Sequence, residues 1–203
     1  MVGEFQKCLG LFFSKAALKP DVFTWLNELQ VQQHTLDDHS VFFGVKGVLS
    51  RITNEHMTGM VAGNTADFVK MNAAETVNLC DRWFDGDYVM VANSLVGHKD
   101  LAFKFLITVL EKHEPLIESE YNQFNQVSAK YQAVLLRIIE ILATYKRGSM
   151  SAQLVELVSR SYFPIEPCLQ ICEKAAHTQE ACAVLYRRKG FYQKSVELYL
   201  QVL

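Results

Sequence analysis

Residues Ala176 to Leu203 read AHTQEACAVLYRRKGFYQKSVELYLQVL, and two amphipathic helices meet within that stretch at a single glycine. In the first, Cys182, Leu185 and Tyr186 fall three and four apart and make one apolar stripe, while Arg187, Arg188 and Lys189 fill the last turn. Cations at that end oppose the negative pole of the helix macrodipole. Gly190 follows them and can take the left-handed conformation that ends a helix and opens a tight turn. Phe191, Val196, Leu198, Tyr199 and Val202 supply the apolar side of the second helix. A hairpin of this kind cannot bury both faces by itself, so the pattern predicts stacking on further hairpins in an all-α architecture.

Working back from the hairpin, the run from Ala129 to Tyr145 carries Tyr131, Val134, Leu135, Ile138, Ile139, Ile141 and Leu142. An apolar face this wide predicts contact with neighbours on two sides. Lys146, Arg147 and Gly148 then repeat the basic-then-glycine punctuation seen at Gly190. Ser149 or Ser151 caps a helix through Leu154, Leu157 and Val158 that runs up to Pro164, and Ile165 to Ala176 follows with Pro167 in its first turn. From Ala129 onward a helix pair recurs every ~20–35 residues, the spacing of a helical repeat array.

Upstream, Leu101, Phe105, Val109 and Leu110 lie on one face of a helix that Pro115 is expected to close, with Lys112 and His113 near its end. Ser119 to Val127 then reads as a short helix or an ordered loop. Tyr88 to Leu95 is rich in valine, but a lone strand has no partner in this chain, which favours a short helix. Asn72 with Glu75 resembles a capping box opening a helix through Leu79, Cys80, Trp83 and Phe84, and Asp85-Gly86-Asp87 is a turn.

The segment 54–65 holds Gly59, Gly63 and Asn64 and is expected to be a connection, with a possible domain sub-boundary there. Thr35 with Asp38 is a second capping-box pattern, leading through Phe42, Val45, Leu49 and Ile52, and Phe5 to Ala16 forms a first helix ending before Pro20. Asp21 caps a short helix through Trp25 and Leu29.

Composition sets outer bounds. The chain has 203 residues, half of them hydrophobic (50%), enough for a core and far from a disordered composition. Its net charge of -2 comes from 20 basic and 22 acidic residues without a basic block, which argues against a nucleic-acid footprint and for a protein partner. No apolar run reaches the ~18 residues of a membrane-spanning helix. Glu4 and Lys7 interrupt the apolar N-terminus, against a signal peptide. Five cysteines, Cys8, Cys80, Cys168, Cys172 and Cys182, are odd in number and unevenly spaced, which fits the reduced thiols of a cytosolic protein. Leu203 falls inside an apolar helix without a stop signal, so the segment 1–203 reads as a piece of a larger protein.

Chemistry-bearing clusters are few. Cys168, Cys172, His177 and Cys182 are the residue types of a zinc site, but they lie along helices among apolar neighbours instead of on tight knuckles, so packed cysteines are the expectation. His34, Asp37, Asp38 and His39 combine carboxylates and imidazoles, yet with Thr35 as cap the two aspartates fall in a first helical turn, where the macrodipole favours them. Arg187, Arg188 and Lys189 suit an acidic lipid or partner, and equally a helix C-terminus. Trp25 and Trp83 are partner anchors or core, with helical spacing favouring core. No serine elbow, glycine-rich phosphate loop or H-E-x-x-H pattern occurs. The expectation is therefore no enzyme, and no residue is assigned to catalysis, a cofactor or a metal.

Ala181, Ala183, Val184, Leu185 and Tyr186, followed by Arg188-Lys189-Gly190, Tyr192 and Val196 to Leu200, resemble the right-handed alpha-solenoid hairpins of clathrin-heavy-chain-repeat proteins, above all the vacuolar protein sorting subunits of the CORVET and HOPS tethering complexes. Tetratricopeptide hairpins share the order of small residue, Tyr, Gly and Tyr. Ser195 stands where those usually carry alanine, and no proline follows the second helix. The resemblance implies a scaffold in endosomal or vacuolar membrane fusion, cytoplasmic and peripheral on the membrane. Other tethering subunits, small GTPases and SNARE proteins are the partners it implies. A clathrin-coat or tetratricopeptide adaptor shares the fold with different partners, and a metal-dependent helical enzyme built on Asp37, Asp38 and His39 is the alternative from another class.

Overall fold

A computed structural model describes residues 11, 14, 22–24, 26, 54–95, 97–144 and 148–202. Regular structure among the described residues is helical throughout, without a strand. The chain forms two compact units, Met1–Phe105 and Leu106–Leu203. The expected helices at Phe5–Ala16 and from Thr35 to Ile52 lie wholly or largely outside the described residues, as does most of the helix through Trp25.

In the first unit α1 (Asn54–Met71) packs on α2 (Ala73–Trp83) and α3 (Tyr88–Ser94). The connection expected over 54–65 is instead the first three turns of α1. Gly59 and Gly63 each cost about 1 kcal/mol within a helix. Burial of Thr65, Phe68 and Val69 on the same helix offsets that cost. Phe23 meets Phe68 with ring centroids 5.7 Å apart.

The joint between α1 and α2 is half a capping box. The Asn72 side chain accepts from the Glu75 amide at 3.1 Å, while the Asn72 amide donates to the Phe68 carbonyl at 2.9 Å and so stays with the preceding helix. Asp85 (φ 49) and Gly86 (φ 70) then reverse the chain in left-handed conformations, and Asp87 caps α3 by accepting from the Met90 amide at 3.0 Å. Ser94 donates to the Thr65 hydroxyl at 2.9 Å, tying α3 to α1.

The boundary between the units falls within α4 (Lys99–Phe124). This helix does not stop at Pro115, as the sequence suggested; it continues for nine more residues, and Ser119–Phe124 is its last part. An interior proline removes one helical hydrogen bond and costs about 3 kcal/mol. Tertiary contacts on either side oppose that cost. Ile117 is fully buried, and Glu114 is bonded by both Arg160 and Tyr162.

The remainder of the second unit is α5 (Ala129–Ala143), α6 (Gly148–Ser159), α7 (Ile165–Glu173), α8 (Gln179–Arg188) and α9 (Tyr192–Val202). Helix α5 packs against α6 and α7, both of those pack against α8, and α8 packs against α9. All seven apolar residues expected in α5 are buried, and the face they cover meets two neighbours. Helix α6 begins at Gly148 and ends at Ser159, so the two serines offered as caps lie inside it and the helix stops short of Pro164. Pro164 instead caps α7, with Pro167 as its third residue. No helix among the described residues is long and apolar enough to cross a membrane.

Candidate functional site

The turn between α8 and α9 fixes the geometry of the surface around it. Gly190, at φ 90, donates its amide to the Arg187 carbonyl at 3.0 Å, and the Phe191 amide reaches back to the Tyr186 carbonyl at 2.9 Å. This pair of bonds is a Schellman motif. Its usual apolar contact is present as well, the Tyr186 and Phe191 rings meeting edge to face with centroids 6.3 Å apart.

Tyr186 is buried, and its hydroxyl joins three helices. It donates to Glu173 at the end of α7 and accepts from Lys194 on α9. The Lys194 ammonium also lies 3.9 Å from the centre of the same ring. The hydrogen bond to Tyr186 leads the effects that raise the Lys194 pKa, so this cation is held charged where α9 docks.

The basic triplet ending α8 divides into three environments. Arg187 is exposed, as a solvated helix end requires. Arg188 turns away from its own helix and donates to the carbonyls of Val158 (2.7 Å), Ser161 (2.7 Å) and Phe163 (3.0 Å), at and just beyond the C-terminus of α6. Burial lowers its pKa, since three carbonyls satisfy hydrogen bonds without supplying a negative charge. Lys189 pairs with Glu166 on α7 at 2.7 Å and lies 5.2 Å from the Phe191 ring centre.

A third polar cluster sits beside these. Glu114 accepts from Arg160 at 2.5 Å and from the Tyr162 hydroxyl at 2.6 Å, and Arg160 also reaches Glu156 at 3.1 Å. Burial, then the bond to Glu114, pushes the Tyr162 phenol up. For Arg160, burial opposes the charge, but the bonds to Tyr162 and Glu156 outweigh it and the net shift is upward. Sequence spacing carries no signal for this cluster, because Glu114 lies 46 and 48 residues from its two partners.

Between these anchors lies an open groove of about 410 Å³ in the second unit. Tyr121, Val127, Tyr162, Phe163 and Pro164 give it an apolar and aromatic lining, with Arg188 at its edge. Of the lining residues, Val127, Tyr162 and Phe163 are buried side chains of the core.

The cysteines among the described residues are packed thiols. Cys168, Cys172 and Cys182 are free and buried, whereas His177, the fourth residue of the candidate zinc set, is exposed. No metal-binding group of histidines, cysteines and carboxylates occurs among the described residues. Burial pushes the Cys168 thiol up to about 12, so it is neutral at ordinary pH. Cys172 is hydrogen-bonded to Cys182; that bond and then burial push the Cys172 thiol up. The same bond leads the effects that hold Cys182 lower. His34, Asp37, Asp38, His39 and Trp25 lie outside the described residues, and Trp83 is the last residue of α2. Comparison with protein-family models, with curated proteins and with solved structures finds no match to this chain.

Proposed function

We propose that the chain is a scaffold and protein–protein interaction segment of a vesicle-tethering subunit in endosomal or vacuolar trafficking, built as a right-handed alpha-solenoid. The observation that supports it is the order of packing in the second unit, where each helix from α5 to α8 touches the next helix, the next but one, or both. Stacked hairpins generate that order because each buries one face on its predecessor and offers the other to its successor. Helix α9 extends the series with an unused surface. Tyr192, Val196, Leu200 and Val202 are exposed, and only Ser195 is buried.

The mechanism in this reading is geometric. A stack of hairpins holds extended edges at fixed separations, which suits the assembly of other chains and assigns this one no catalytic step. The proposed partners are other tethering subunits, with small GTPases and SNARE proteins reached through the complex, on the cytoplasmic face of endosomal or vacuolar membranes. The resemblance of Ala181–Leu200 to tethering-complex hairpins supports that choice over a coat or adaptor scaffold.

Affinity capture from cell extract with the whole chain as bait, at low and raised salt, tests the proposal by mass spectrometry. Recovery of the shared core subunits of an endosomal tethering complex is the expected result. Recovery of coat or chaperone components would move the scaffold to another assembly, and an empty capture would count against an interaction role.

A further inference from the structure

We propose that the groove between the end of α4 and the start of α7 binds an extended acidic peptide segment of a partner protein, with Arg188 receiving a carboxylate. Size is the first argument: about 410 Å³ lies within the range of sites that enclose several side-chain groups. Its lining is the second. Tyr121, Pro164 and Pro167, none of them fully buried, offer rings to an apolar side chain, while Asn125 and Gln132 in the same lining offer amides to a peptide backbone.

Charge decides the occupant. Three ionised side chains line the groove: Arg188, Lys189 and Glu166. Lys189 and Glu166 neutralise one another at 2.7 Å. Among the described residues, Arg188 is left as the uncompensated charge of the lining, half-buried and bonded to neutral carbonyls. Those three bonds use three of the five guanidinium protons, so donors remain for an incoming carboxylate. A partner that brings an acidic side chain meets complementary charge in a partly desolvated setting, and a neutral partner does not.

The inference rests on the scaffold reading only for the existence of a partner. Affinity capture reports on assembly, whereas a peptide titration reports on the groove, so either can fail while the other stands. The probe is a fluorescein-labelled pool of nine-residue peptides with aspartate fixed at the centre and leucine or tyrosine two positions to either side. A matched pool carries asparagine in place of the aspartate. Fluorescence anisotropy with the full chain should give binding about tenfold tighter for the aspartate pool, the size of one charge-assisted contact.

Ser161→Glu, at an exposed residue whose carbonyl Arg188 already holds, supplies a carboxylate within the chain and should weaken the aspartate pool about tenfold. Glu166→Gln removes the acid from the groove and should tighten it about two- to threefold. Both sites are exposed, and circular dichroism checks that the variants keep their helices. Equal binding of the two pools, no binding of either, or indifference to Ser161→Glu would overturn the proposal.

Discussion

Helices α8 and α9 are joined by one glycine and packed against each other, yet one buries six consecutive residues, Ala181 to Tyr186, and the other buries only Ser195. The difference does not follow from apolar content, since α9 carries Val196, Leu198, Tyr199, Leu200 and Val202. It follows from neighbours. Helix α8 is flanked by α6, α7 and α9, while α9 packs on α8. A stripe at helical spacing therefore says which residues can be buried, and the number of adjacent elements decides which of them are.

Paired truncations offer the strongest way to break that comparison. Leu185→Ala, at a fully buried position in α8, should cost about 3–5 kcal/mol in chemical denaturation, whereas Leu200→Ala on α9, at 66% exposure, should cost under about 0.5 kcal/mol. Similar losses at both positions would mean that the open face of α9 is closed in solution.

Tyr186→Ala should cost about 2–4 kcal/mol, because it removes a buried ring together with the hydroxyl that connects Glu173 and Lys194. Tyr186→Phe separates the two contributions. It should cost about 1–2 kcal/mol, the worth of hydrogen bonds to charged partners. A loss below about 0.5 kcal/mol for the alanine variant would place the ring outside the hairpin core.

Alkaline pH sharpens the contrast on the α8 side. Cys168 is a buried thiol whose pKa is raised from 9.0 to about 12. The native state therefore holds that proton more tightly than the unfolded chain does. Its contribution is fully present below pH 9 and is lost as pH rises through 9 toward about 12. Tyr162, also pushed up by burial, acts in the same direction from pH 10 upward. Stability measured from pH 8 to pH 11 should fall more steeply in the wild-type chain than in Cys168→Ala. Parallel curves would show that the thiol titrates freely.

The smallest expected effect tests the helix–helix contact itself. Ser195 is 3% exposed at the α8–α9 contact, so Ser195→Ala should change stability by less than about 0.5 kcal/mol, whereas Ser195→Leu should cost about 1–3 kcal/mol by forcing the helices apart. A neutral leucine would show that α9 is loosely held.

What could be read from the sequence was local. The α8–α9 turn, the apolar stripe of α5 and the Asn72 cap each depend on residues within a few positions of one another, where backbone geometry and periodicity act directly, whereas the short helix at Tyr88–Ser94 was read from the lack of a strand partner. Pro115 and the glycines of α1 were misleading because propensity is worth ~1–3 kcal/mol, and burial of several side chains on one helix, Phe68 with Val69 in α1 and Leu110 with Ile117 in α4, together matches or exceeds it. Arg188 was read as complementing its own helix, but its side chain reaches residues 25 to 30 positions earlier. The groove is less legible still. Its walls come from α4, the loop before α5, α5 itself, the turn between α6 and α7, the start of α7, and the end of α8, segments distant in sequence that meet only in the fold.

Amide hydrogen exchange of the full chain, resolved by residue, tests most directly that α8 is the buried centre of its unit and α9 its open edge. Amides from Ala183 to Tyr186 should be among the slowest to exchange, opening only with global unfolding, while those from Val196 to Leu200 should exchange through local opening about 10- to 1,000-fold faster. Equal protection along both helices would contradict this account and would mean that the exposed face of α9 is already covered.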